Sequence, residues 1–242
     1  MKRETQNILL ILLGGALVKI AVNGDYLRYV KPAQQPWIIA GGAVMVLLGA
    51  VAIVRDLVAS RRVVPDEHAE HDGHAHSARP AWLLLVPVLA VFLVAPPALG
   101  ADSVIRTEAR VPASAAVADA AAFPPLPAGN VVPLTVNEFV SRAGWDSAGT
   151  LTGRTVSLTG FVVHTDGSTL LARLVISCCA ADAFPVTVRL RGGAADHLAS
   201  DAWIQVTGEV VPGTATKDNS YTPDFTPTST TPVPTPKDPY EY

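Results

Sequence analysis

The chain has 242 residues, of which 49% are hydrophobic and only 16% are charged, and its formal net charge is -3. It is too apolar for an ordinary soluble domain and too short for a large transporter, so we expect a small membrane protein. Because the net charge is near zero and no long basic run occurs, the electrostatic footprint needed for nucleic-acid binding is missing, which excludes that class of function.

Three apolar runs, residues 7–22, 36–54 and 82–99, lie in a predicted membrane region, residues 1–100. Since about 20 helical residues cross the hydrocarbon core, we expect three transmembrane spans. Lys19 in the first run either extends its ammonium group to the membrane interface or acts as a functional charge facing another helix. The third run also resembles a cleavable signal, and cleavage there would release the C-terminal half.

Basic residues near the predicted spans indicate the orientation of the chain. Only Arg28 and Lys31 lie between the first two runs, whereas the others precede the first run or flank the second loop: Lys2, Arg3, Arg55, Arg61, Arg62 and Arg79. By the positive-inside rule, the N-terminus and the second loop are cytoplasmic. Three spans then place everything after Leu99 outside the cytoplasm.

The second loop, residues 60–80, is rich in histidine and acidic residues, with four histidines within nine positions: His68, His71, His74 and His76. Imidazoles and carboxylates are good ligands for zinc, nickel or copper, and a flexible loop can wrap them around one ion. A solvated polar loop is an equally open interpretation. If the loop binds metal, we expect sequestration or sensing on the cytoplasmic side rather than catalysis.

Residues 101–132 are rich in Ala, Pro and Val and are predicted to form a partly extended linker. The domain that follows, residues 133–242, is predicted to start with a short helix. Thr135 and Glu138 have the spacing of a capping box, and the helix should end near Ala143.

Period-two patterning then predicts four short strands, near residues 156–162, 170–176, 184–190 and 204–210. A short helical stretch is expected before the last of them. This pattern is typical of a small, partly closed β-barrel of the oligonucleotide/oligosaccharide-binding (OB) type, which needs a fifth strand. The Thr- and Pro-rich tail, residues 221–240, predicts an unstructured stalk by composition, although proline is also tolerated in an edge strand.

The only two cysteines, Cys178 and Cys179, are neighbours. A bridge between neighbours closes a strained ring and gains little from unfolded-state entropy, so their role must be local. In a regular strand the two sulfurs would point to opposite faces, and they could share an ion only if the chain turns after Cys179. Three interpretations are open: ligands for a soft metal or metalloid, with Asp182 nearby; a redox-active pair; or small core residues.

The sequence contains no nucleophile and base set, phosphate loop or paired-carboxylate signature, so we expect no catalytic residues and no enzymatic activity. His164 and His197 are far apart in sequence, and each is interpreted as a surface or structural histidine.

Four features of the sequence form a recognisable set: the first two spans separated by residues 24–32, the Cys-Cys-x-Ala-Asp element in residues 173–183, residues 203–208 and the ending, residues 236–240. Together they resemble the YcgQ family of predicted two-component permease subunits. The resemblance implies a bacterial inner-membrane protein that works beside a separate multi-span permease, itself similar to proteins linked to metalloid export. It also implies that Cys178, Cys179 and Asp182 are the hallmark residues and that the tail completes the barrel, whereas the His-rich loop is not part of the pattern.

The leading hypothesis is an accessory, non-catalytic permease subunit that lies in the lipid bilayer and presents the cysteine pair to a metal, metalloid or small solute. No cofactor is assigned, and a transition metal such as zinc is the candidate ion. The alternatives are a membrane-tethered thiol-disulfide protein and a structural assembly factor whose barrel binds another protein.

Overall fold

The computed structural model describes residues 3–61, 85–94, 97–107, 123–165 and 167–242. The chain divides into two compact units, one made of Met1–Tyr26 with Pro32–Pro97 and the other of Leu27–Lys31 with Ala98–Tyr242. The histidines predicted to bind metal lie outside the described residues, so that hypothesis stays a prediction; they are His68, His71, His74 and His76.

The first unit is helical, with α1 (Arg3–Asn23), α2 (Gln35–Ser60) and α3 (Leu85–Leu93). Segments Thr5–Asn23 and Pro32–Ala59 are long and apolar enough to cross a membrane, in line with the first two predicted spans. Of the third predicted span, the described part consists of α3, which has nine residues, and of non-helical residues 94 and 97–99.

Small residues bring α1 and α2 together. A Cβ atom on Gly49 would lie 2.6 Å from Ile11 Cγ1, and one on Gly14 would lie 2.7 Å from the carbonyl oxygen of Gly42. Both distances are too short for a real Cβ atom, so the close backbone approach requires glycine at these positions. Such contacts are typical of helix pairs in lipid, where burial of large apolar side chains provides no driving force.

The second unit is β-rich. Its helices are α4 (Ala101–Arg106) and α5 (Val136–Trp145), and its strands are β1 (Val132–Pro133), β2 (Val156–Thr165), β3 (Ser168–Val175), β4 (Phe184–Leu190), β5 (Trp203–Val211), β6 (Asp224–Pro232) and β7 (Tyr240–Glu241). The four strands predicted from period-two patterning are confirmed as β2 to β5. The stretch before β5, predicted to be helical, instead consists of turns.

Two segments differ from what composition alone predicts. The Thr- and Pro-rich tail forms β6 and β7, so the interpretation as an unstructured stalk is wrong, because backbone pairing with β5 along most of β6 outweighs the composition. The first residues of the predicted linker form α4, whose Ala101 and Val104 are buried against the domain.

Helix α5 begins as predicted. Thr135 is the N-cap residue, and its hydroxyl accepts a 3.0 Å hydrogen bond from the Glu138 backbone N–H. The Glu138 carboxylate, however, accepts hydrogen bonds from the Arg142 guanidinium one turn later. The helix continues to Trp145, two residues beyond the predicted end.

The strand pairings form a closed cycle. Strands β2, β3 and β4 pair antiparallel in sequence order, β4 pairs in parallel with β6, and β6 returns through antiparallel β5 to β2. The two-residue strands β1 and β7 add parallel pairings to β2 and β3. Each of the five longer strands therefore pairs with two of the others.

Alternate residues of these strands face two hydrophobic clusters. The larger cluster holds Leu158, Val188, Ile204 and an edge-to-face pair, Phe139 of α5 and Phe225 of β6, with ring centroids 5.5 Å apart. The smaller cluster holds Phe161, Val163, Leu174, Ile176 and Tyr240 together with Ala101 and Val104 of α4. Since α4 covers the second face, residues 160–163 of β2 are buried on both sides.

Candidate functional site

The cysteine pair lies in the loop between β3 and β4, residues 176–183, which we call the Cys loop. Strand β3 ends at Val175, and a 3-10 turn occupies Ala180–Asp182. The chain therefore turns where the sequence analysis requires it to turn for both thiols to share one ion. The two Sγ atoms lie 3.6 Å apart.

Asp182 completes a group of three ligand-type side chains. One of its carboxylate oxygens accepts a 2.9 Å hydrogen bond from the backbone N–H of Ser177, and the other accepts a 2.8 Å hydrogen bond from that of Cys178. The ligand atoms of Cys178, Cys179 and Asp182 all lie within 4.8 Å of one another, so the group could hold a metal ion. The interpretation of the cysteines as core residues is wrong, because Cys178 is exposed and Cys179 is half-buried.

The carboxylate also controls the protonation of the neighbouring thiol. Hydrogen bonding to Asp182, followed by hydrogen bonding to Cys179, raises the pKa of Cys178 to about 11. Burial raises the pKa of Asp182, but hydrogen bonds from the Cys178 thiol and from backbone N–H groups outweigh it and lower that pKa overall. At neutral pH Cys178 is therefore a protonated thiol, which is a poor nucleophile and which a metal ion must deprotonate in order to bind.

The backbone of the Cys loop is held by the segment that joins α1 and α2. The Ala180 N–H donates a 2.7 Å hydrogen bond to the Tyr29 carbonyl oxygen, and the Lys31 N–H donates a 3.4 Å hydrogen bond to the Cys178 carbonyl oxygen. Between them, Val30 forms an antiparallel bridge with Cys179. Sequence patterning alone carries no signal for this pairing, because the partners are about 150 residues apart.

The C-terminal residues hold the other end of the Cys loop. The Ile176 N–H donates a 3.0 Å hydrogen bond to the Glu241 carbonyl oxygen, directly after the β3–β7 pairing. The Tyr240 hydroxyl donates to the carbonyl oxygen of Arg28 at 3.0 Å and accepts from the Leu99 N–H at 3.2 Å. The chain terminus thus ties the Cys loop to two segments that flank the apolar helices in sequence.

The Glu241 side chain fixes the terminus in the domain. Its carboxylate accepts hydrogen bonds from the backbone N–H groups of Val136 and Asn137, in the first turn of α5, at 2.9 and 2.7 Å. It also lies 3.3 Å from the guanidinium of Arg173, which stacks over the Trp203 ring. The Glu241 carboxylate therefore links β7 to α5 and β3, and removal of either charged partner would leave the other buried and unpaired.

A second polar region is a cleft of about 390 Å³ at the β2–β3 hairpin, lined by His164, Thr169, Arg189, Arg191 and Asp196 among others. His164 Nε2 donates a 2.7 Å hydrogen bond to the carbonyl oxygen of Leu198, and the Thr169 hydroxyl donates to Asp196 at 2.6 Å. These bonds link the hairpin to the loop after β4, which agrees with the structural role predicted for His164. His197 is exposed.

Residues 145–242 match the family described as the DUF1980 C-terminal domain. The matched segment contains Cys178, Cys179 and Asp182 and every strand of the closed cycle. It is consistent with the YcgQ resemblance over this part of the chain. No curated protein and no solved structure matches the chain.

Proposed function

We propose that this protein is an accessory, non-catalytic subunit of a membrane permease and that it presents the Cys loop to a metal, metalloid or small solute outside the cytoplasm. The observation that carries the proposal is the convergence of Cys178, Cys179 and Asp182 on an exposed loop. The backbone of that loop is hydrogen-bonded to the segment joining two apolar helices.

The backbone pairing of residues 29–31 with the Cys loop supports a topology with three spans. Because they are hydrogen-bonded, both segments lie on the same side of the membrane. The chain leaves that side through α2 and must cross once more before it reaches residue 98. The apolar run at residues 82–99 is the segment available for this crossing.

The closed cycle of strand pairings supports the assignment of the external domain as an OB-like barrel. Its order, β2–β3–β4–β6–β5 and back to β2, includes one short parallel contact between β4 and β6. A five-stranded, partly open barrel of this type carries its ligand sites on loops and on one strand face. The Cys loop joins the second and third strands of the cycle, so it lies at one end of the strand pair whose face carries ligands in OB folds.

The partners that we propose are the bacterial inner-membrane bilayer and a multi-span permease. With two or three spans the chain is too short to enclose a pore by itself, and α2 exposes large apolar side chains along its length, among them Leu47, Leu48 and Val51. In a membrane this surface would contact lipid or another helix.

The raised pKa of Cys178 disfavours thiol-disulfide exchange, whereas a metal ion that binds the pair displaces the thiol proton itself. Exchange requires a thiolate, and familiar oxidoreductases lower the thiol pKa instead of raising it. A membrane-tethered thiol-disulfide protein therefore ranks below the permease subunit. An assembly factor remains the other alternative, with the exposed surface of the domain rather than the cysteines as its docking site.

The test compares wild-type protein with the Cys178→Ser, Cys179→Ser double variant, each expressed in bacterial cells from which this gene has been deleted. We expect the variant to insert and fold normally yet to change metal accumulation and metal tolerance as strongly as a gene deletion does. Thr226→Ser, on an exposed position of β6, serves as the control and should behave like wild type. Wild-type accumulation and tolerance in the double variant would disprove the proposed role of the cysteine pair.

A further inference from the structure

We infer that the Cys loop takes a divalent ion of the zinc type in bent coordination by two sulfurs and one oxygen, with a fourth position open to a ligand from a partner. This inference rests on the proposed function, since it assumes that the cysteine pair binds an ion. It selects one class from the metals, metalloids and solutes that the motif alone leaves open.

The distance between the two sulfur atoms suits a bent arrangement of two metal–sulfur bonds better than a linear one. Two Zn–S bonds of about 2.3 Å at a tetrahedral angle place the sulfurs about 3.8 Å apart, whereas a linear arrangement of bonds of that length places them about 4.6 Å apart. A disulfide would require about 2.05 Å. The observed separation is 3.6 Å, so little movement is needed to form a bent chelate.

The third ligand points to the same ion class. Asp182 is a hard oxygen ligand, and zinc accepts thiolate and carboxylate together, whereas Cu(I) prefers an all-sulfur set. The carboxylate is oriented by two backbone N–H groups, from Ser177 and Cys178, whether or not an ion is present. A two-coordinate linear ion would use the sulfurs alone and leave Asp182 outside the coordination sphere.

The number of cysteines argues against a trivalent metalloid. Such an ion forms three bonds to thiolates when it is held by protein sulfur alone, and this chain has two cysteines in total. A metalloid bound to this chain would therefore have two sulfur bonds and a third ligand from outside the protein, such as hydroxide. A divalent ion of the zinc type uses all three side chains, because the carboxylate supplies the third bond.

The fourth position would stay open because the group is at the surface. Structural zinc sites are closed by four protein ligands, whereas sites with three protein ligands keep one position for an exchangeable group. Here Cys178 is exposed, and the described residues contribute a group of three ligands at this position. A ligand on a partner could enter from solvent and take over the ion, as transfer to a permease would require.

The experiment uses the full chain, reduced and purified anaerobically in detergent, with His68, His71, His74 and His76 changed to Ala so that binding reports the Cys loop. Co²⁺ is the spectroscopic probe and Zn²⁺ the competitor. We expect one Co²⁺ per chain, with the intense visible bands of tetrahedral thiolate coordination, and complete displacement by Zn²⁺. X-ray absorption of the Zn²⁺ form should show two sulfur neighbours at about 2.3 Å together with lighter atoms.

Variants measure how much each ligand side chain contributes to Co²⁺ binding. Cys178→Ser with Cys179→Ser should abolish the bands, and Asp182→Asn should weaken Co²⁺ binding by at least about 10-fold, the lower end of what loss of a supporting group around a metal costs. Asp218→Asn, at an exposed carboxylate of a different turn, is the matched control and should bind like the parent protein.

Two results would overturn the ion class: linear two-sulfur coordination of Cu⁺ that Zn²⁺ cannot displace, or unchanged Co²⁺ binding in Asp182→Asn. Either could occur while the double serine variant still loses metal handling in cells, in which case the permease role stands. Conversely, zinc-type binding together with normal metal handling by the double serine variant would leave the ion class intact and disprove the permease role.

Discussion

The helical unit and the β-rich unit place their apolar residues in opposite ways. Leu47 and Leu48 of α2 are 63% and 56% exposed, whereas Ile204 and Phe225 of the β-rich unit are fully buried. The helices approach each other through glycine backbone, whereas large side chains fill the interior of the β-rich unit. Large apolar side chains of α2 therefore face outward, whereas those of the β-rich unit are buried inside the domain, where their removal from water stabilises the fold.

The largest expected effect is in the side-chain core of the β-rich unit. Phe225→Ala removes the partner of Phe139 and leaves a cavity, so we expect a loss of about 3–5 kcal/mol in the free energy of unfolding. Denaturant unfolding of the full chain, followed by tryptophan fluorescence, measures it.

Thr226→Ala, on the next and exposed position of β6, is the control and should change the free energy of unfolding by no more than about 0.5 kcal/mol. Equal losses in the two variants would show that the second unit is not stabilised by side-chain burial in the way described.

An intermediate effect is expected where the helices meet. Gly49→Leu forces a side chain into Ile11 and the Asn7 carbonyl oxygen, and overpacking of this kind costs about 1–3 kcal/mol. Gly15→Leu is the matched control, because nothing lies within 4 Å of its Cβ position. Thermal unfolding in detergent, followed by helical circular dichroism, should show a lower midpoint for Gly49→Leu only. A lower midpoint for both variants would point to helix propensity or insertion as the cause.

The smallest structural effect is expected at the Cys loop, because its ligand-type side chains pack neither between the two helices nor in the core of the β-rich unit. Because the pKa of Cys178 is raised, its alkylation rate should climb with pH toward a midpoint near 11. Asp182→Asn removes the main cause of the shift and should lower that midpoint, so that the thiol reacts faster at pH 8. Mass spectrometry that resolves alkylation at each cysteine gives both profiles, and identical midpoints would contradict the assigned cause.

Sequence patterns correctly predicted those structural features that depend on residues close together in the chain. The period-two patterns of β2 to β5 and the Thr135 cap are set by neighbours along the chain, and each is found where it was expected. The tail was ambiguous because its threonines suit a strand while its prolines suit a stalk. Its pairing with β5 resolves the ambiguity, and such pairing depends on a strand that precedes it by about 20 residues.

For the Cys loop too, the features set by neighbouring residues were predictable and the contacts with distant residues were not. The residue types and their spacing predicted Cys178, Cys179 and Asp182 as a group and the turn that joins them, because all lie within five positions. The hydrogen bonds that residues 29–31 and Glu241 make to the Cys loop could not be predicted from local sequence patterns.

By itself, the sequence determined the two apolar helices, the alternating strands and the identity of the ligand-type side chains, since periodicity and residue chemistry are local properties. Only the tertiary structure decided that the five longer strands pair in a closed cycle and that the two sulfurs lie 3.6 Å apart. It also decided that the segment between α1 and α2 holds the Cys loop. These features are contacts between distant residues, and their free energy appears only after the chain has brought both partners together.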